Sequence, residues 1–159
     1  MKLTNENRLA GQKLRARILA AFPAGHYALD TFFRLTDVVV SEKIPTAAVE
    51  CVTSPKLLMN PEFVKKHCKT DEHLFILVMH ELHHVLLGHT RLFQRHSDVD
   101  NIVFDAIINA ILCQTFPDPV YTSFFTKFYR SDAFPECLLR PPEGWPERFT
   151  FPASIPKHV

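Results

Sequence analysis

Residues 78–89 read Val-Met-His-Glu-Leu-His-His-Val-Leu-Leu-Gly-His, and no other segment constrains the fold as strongly. His80 and His84 are four apart. On a helix they sit one turn apart and about 40° around the axis, so both imidazoles can aim at a single point. Glu81 borders the same face and can reach a water at that point without being a ligand. Leu74, Phe75, Ile76, Leu77, Val78, Leu82, Val85, Leu86 and Leu87 would surround this helix with apolar side chains, so it is expected inside the protein. Burying two imidazoles and a carboxylate together is costly unless they are paired or hold a metal. The competing reading is a His-rich helix edge facing water, with no metal.

The flanks carry start and stop signals. Thr70 offers a capping hydroxyl, and Asp71 and Glu72 place acids at the positive end of the helix dipole. Gly88 suits a left-handed cap just past the end. The helix is therefore expected over about residues 71–88. Upstream, residues 4–22 read as a helix with an apolar stripe of Leu14, Ile18, Ala21 and Phe22, and Tyr27 to Leu35 as a short second one. From Val38 the pattern changes. Thr46 to Thr53 and Lys56 to Met59 read as two strands turning at Ser54-Pro55. Asn60-Pro61-Glu62 then starts a short helix through Cys68.

Downstream, Ser97 and Asp100 open a further helix through about Cys113. It is apolar nearly all round, except that Asn101, Asp105 and Asn109 form one polar stripe at spacings of four. A carboxylate on a buried helix needs something to bind. Beyond Thr115 fall eight of the twelve prolines and seven of the fourteen phenylalanines, so regular structure cannot run far there. Tyr121 to Arg130 reads as an aromatic-rich helix. The expected organisation is a core over residues 1–115 and an aromatic, Pro-rich segment over residues 116–159, packed on the core or lining its cleft.

A formal net charge of +1 with no Lys/Arg run gives no electrostatic case for nucleic acid or an anionic membrane. Residues 1–13 are polar and hold no hydrophobic stretch of a secretion signal. Cys51, Cys68, Cys113 and Cys137 are scattered, which suits buried free thiols in a reducing compartment better than a zinc knot. The expected location is the cytoplasm.

A catalytic zinc usually takes three protein ligands and one water. His80 and His84 supply two, and the third is Asp105 or His89. The stretch from His80 to Asn109 resembles zincin metallopeptidases of the gluzincin kind. Leu58-Met59-Asn60-Pro61-Glu62-Phe63, His80 to His89 and Asn101 to Asn109 are more closely similar to the metallopeptidase domain often found ahead of von Willebrand factor A modules. The resemblance covers roughly residues 46–112; residues 116–159 lie outside it.

This resemblance implies an α+β fold: a small, mainly helical zincin-like domain with a short antiparallel sheet beside the His-Glu-x-x-His helix. It implies Zn2+ held by His80, His84 and Asp105, with Asp105 favoured over His89, and Asn109 orienting a ligand imidazole. The chemistry agrees, because a carboxylate removed from water gains most by meeting a cation, whereas His89 follows Gly88 into a polar loop. Glu81 would be the general base of peptide-bond hydrolysis. Thr46 to Thr53 would be the edge strand that holds an extended peptide, and Tyr121, Tyr129, His96 or His73 the oxyanion donor. His83 points elsewhere and reads as structural; His73 reads as an exposed helix-start residue. Arg91 and Arg95 could bind a substrate carboxylate or pair with Asp98 or Asp100. The partner expected is a peptide or protein substrate, with a separate protein partner left open. The alternative function is a zinc-stabilised, catalytically inactive interaction module whose binding surface is the C-terminal segment.

Overall fold

Among the described residues, the three helix starts that the sequence marks with capping side chains form as the local chemistry dictates. Asn60 Oδ1 accepts from Glu62 N and Phe63 N at 2.9 and 3.2 Å. Thr70 Oγ1 accepts from His73 N at 3.2 Å. Ser97 and Asp100 form a reciprocal capping box, Asp100 N donating to Ser97 Oγ at 3.2 Å and Ser97 N donating to Asp100 Oδ2 at 2.9 Å. Each cap satisfies helix N–H groups that have no partner of their own.

The computed structural model describes residues 5–22, 36–50, 56–89 and 97–148. The expected helix Tyr27 to Leu35, and Cys51, Arg91, Arg95, His96 and residues 149–159, lie outside the described residues. The elements are α1 (Asn5–Ala21), β1 (Asp37–Val40), β2 (Ala47–Glu50), β3 (Lys56–Met59), α2 (Pro61–His67), α3 (Asp71–Leu86), α4 (Asp98–Thr115), α5 (Pro119–Phe128) and a 3-10 turn (Glu136–Leu139). The protein is thus mixed α+β and mainly helical. Among the described residues no helix is long and apolar enough to cross a membrane.

The chain divides into two compact units, Met1–Leu86 and Leu87–Val159. Within the second unit α4 groups with the C-terminal segment.

In the first unit the sheet has the order β1-β3-β2. The expected antiparallel pair forms, with Val49 opposite Leu57 and Ala47 opposite Met59. The sheet as a whole is not antiparallel, because β1 lies parallel to β3, with Val38 beside Leu57 and Val40 beside Met59. The hairpin uses one edge of β3 and leaves the N–H and C=O groups of the other to be paired; β1 pairs them. Leu57 and Met59 are buried at 2% and 0% exposure, so β3 is the inner strand of the core. Asn60 fixes the corner after β3, donating from Nδ2 to Ile44 O at 2.8 Å while its backbone N donates to Thr46 O at 2.8 Å.

α1 packs on β1 and along α3, and β2 packs on α3, so α3 is held from two directions. Ile18 from the predicted stripe is fully buried, and Phe22 meets Phe75 edge-on with ring centroids 5.0 Å apart. Gly11 permits the approach of α1 to β1, since a Cβ there would stand 2.8 Å from Val38 O. Arg17 ties the two helices at one end, with Nε donating to Asp71 Oδ1 at 2.8 Å and Nη2 to the carbonyls of Cys68 and Thr70 at 3.3 and 3.2 Å.

In the second unit α4 packs against α5 and against the 3-10 turn. Ile108, Leu112, Cys113, Phe124, Phe125, Cys137 and Leu139 form its core. Asp118 caps α5 by accepting from Val120 N at 2.9 Å, with Pro119 in the first turn. α4 is less enclosed than its composition predicts: Val99, Val103 and Ile107 are 68%, 47% and 47% exposed.

Candidate metal centre

α3 is buried along its first three turns, from His73 through Leu82 with the exception of His80. Its apolar surround therefore carries the two imidazoles out of the core and fixes where they point. Gly88 takes a positive φ of 73°, the left-handed conformation expected of the residue that stops the helix.

His80 Nε2 and His84 Nε2 stand 3.1 Å apart, with ring centroids 4.9 Å apart and planes at 70°. Two imidazole nitrogens cannot face each other at this distance through lone pairs alone; a proton or a cation must lie between them. Nitrogens bound at about 2.0–2.1 Å to one tetrahedral ion stand about 3.3 Å apart, so the pair already has close to the spacing of two ligands.

The ligand atoms of His80, His84 and Asp105 all lie within 4.8 Å of one another, and none of the three residues is exposed. Two imidazoles and a carboxylate are the donor set that zinc accepts. Among the described residues this group could hold a metal ion. Glu81 is 8% exposed and follows His80 directly, about 60° around the helix from His84.

His89, the other candidate third ligand, is not in that group. It is 8% exposed and lies flat on Phe104, centroids 4.0 Å apart and planes at 20°. The ring itself is not wet as expected, because an aromatic side chain of α4 lies against it; residues 90–96 lie outside the described residues. Asn109 is 1% exposed, and its Nδ2 donates to Leu139 O at 2.8 Å. Its recorded partner is the 3-10 turn of its own unit, thirty residues on, which no local pattern announces. The polar stripe of α4 runs from solvent to core: Asn101 is exposed, Asp105 half-buried and Asn109 buried.

His83 Nδ1 lies 2.7 Å from Met79 O, so the ring is tied back to its own helix, as its structural reading requires. His73 is 2% exposed, against the expectation of an exposed helix-start residue. The buried run of α3 begins at His73 and continues through Met79, which the capping pattern does not reveal. Of the suggested oxyanion donors, Tyr121 and Tyr129 lie against Phe116 and Phe128, and both are half-buried. Cys68, Cys113 and Cys137 are buried, as expected. Burial pushes the Cys68 and Cys113 thiols up to about 12, against a small opposing pull from Arg17 at Cys68.

Fold and site together define an α+β protein whose buried helix presents a His pair to a candidate metal position. No protein-family model, curated protein or solved structure matches the chain.

Proposed function

We propose that the chain is a zinc-dependent metallopeptidase with a zincin-like core. The observation that carries this reading is the clustering of His80, His84 and Asp105 within 4.8 Å beside a buried Glu81. A site that only stabilises structure has no need of a carboxylate in that position.

His80, His84 and Asp105 would hold the ion. When bound, zinc would supply Lewis-acid polarisation of a peptide carbonyl and acidify the attacking water. Glu81 takes the proton of that water onto its carboxylate and returns it to the leaving amine. The low exposure of Glu81 keeps competing bulk water away from the carboxylate. β2 ends the strand order among the described residues and packs on α3, so its outer edge suits an extended peptide laid along the helix that carries the His pair.

The test is Glu81→Gln. The variant should keep its zinc by elemental analysis and lose peptide hydrolysis by about 10²-fold or more. Unchanged turnover would remove Glu81 from the reaction. A wild-type protein that holds zinc and cleaves nothing in a peptide library would leave the interaction-module reading in place.

A further inference from the structure

The second unit contains a cavity of about 400 Å³ that the metal chemistry does not use. Its walls come from α4 and from the Pro-rich segment: Ile107 and Ala110 on one side, Leu138 and Trp145 on the other, with Arg140 at the same wall. Cys113 and Ala110 lie about 80° and 140° around α4 from Asp105, so the cavity opens on a different face of that helix.

The lining is apolar apart from a few groups, and most of those are engaged. Asn109 Nδ2 donates to Leu139 O, and Trp145 Nε1 donates to Cys113 O at 3.3 Å. Arg140 differs. Its side chain is 18% exposed and its Nη2 pairs with Asp132, which is itself 79% exposed. Its Nε is buried and has no hydrogen-bond partner among the described residues. A guanidinium with an unused buried donor is costly beside an apolar wall and strongly favours a carboxylate.

From this juxtaposition we infer that the cavity binds a small amphiphilic monocarboxylate, its apolar body against Ile107, Leu138 and Trp145 and its carboxylate on Arg140. The volume falls in the range of small-molecule sites, which are mostly apolar with a few placed polar groups. The inference stands on the second unit alone and does not depend on the metal reading.

Trp145 is the sole tryptophan of the chain, so its emission reports on this wall. The full-length protein is titrated with decanoate, below the concentration at which it forms micelles, and with 1-decanol as the uncharged counterpart. Decanoate should change Trp145 emission saturably and bind at least about tenfold more tightly than decanol. Arg140→Met should abolish that preference and leave decanol binding unchanged, with circular dichroism confirming the fold. Asp132→Asn, at an exposed position, releases the guanidinium from its competitor and should tighten decanoate binding. Leu138→Glu, also at the rim, should abolish it. No saturable change, equal affinity for acid and alcohol, or decanoate binding indifferent to both Arg140→Met and Asp132→Asn would each overturn the proposal.

Discussion

At the scale of single residues, the His pair and the buried carboxylate between them are the informative positions. Their roles separate by experiment. His80→Ala and His84→Ala should each lose zinc measured by equilibrium dialysis. Asp105→Ala should weaken zinc binding more than His89→Ala does, because Asp105 belongs to the converging group and His89 does not. His89→Ala should instead lower the melting temperature, since it removes a buried ring stacked 4.0 Å from Phe104. The reverse ordering of the two variants in zinc affinity would make His89 the ligand. The His80–His84 spacing is readable directly from the four-residue interval, because helical geometry converts sequence separation into angle. The burial of His73 and the partner of Asn109 are not, because they depend on which element packs over them.

At the scale of elements, caps and glycines did most of what local sequence can do. Asn60 holds two helix N–H groups and the Ile44 carbonyl at once, so Asn60→Ala should destabilise the protein by about 1 kcal/mol or more in chemical denaturation. Gly11→Ala sets two effects against each other. Alanine is the better helix former by roughly 0.5–1 kcal/mol, but its Cβ would stand 2.8 Å from a backbone oxygen of β1. The clash involves backbone and cannot be relieved by a rotamer change, so net destabilisation is expected; a raised melting temperature would show that α1 slides freely on β1. The hairpin of β2 and β3 was legible from β-favouring residues either side of Ser54-Pro55. The parallel strand β1 was not, since four residues around Val38, Val39 and Val40 carry no information about the direction of their partner.

At the scale of the whole chain, the buried thiols govern behaviour in alkali. The Cys68 and Cys113 thiols are raised from 9.0 to about 12 by burial, so the folded protein retains protons that the unfolded chain would release. Their contribution to stability is complete below about pH 9 and is lost as the pH rises from 9 through 12. Thermal melts across that window should fall in temperature, and Cys68→Ala should flatten the slope. At pH 8 neither thiol should react with a thiol reagent until the protein unfolds. The chain divides into the compact units Met1–Leu86 and Leu87–Val159. Composition marks where the prolines begin, and packing groups α4 with α5 and the 3-10 turn.

The amino-acid sequence by itself determined the helix that carries His80, Glu81 and His84, its start at Thr70 and its stop at Gly88, because each depends on hydrogen bonds and dihedral preferences spanning a turn or less. It also offered Asp105 and His89 as the candidates for a third ligand. Tertiary structure alone decided that His89 lies on Phe104, that Asn109 reaches Leu139, and that β3 has a parallel neighbour. Those outcomes depend on long-range packing between segments, where the burial of one surface selects the partner of another, and no local interval encodes that choice.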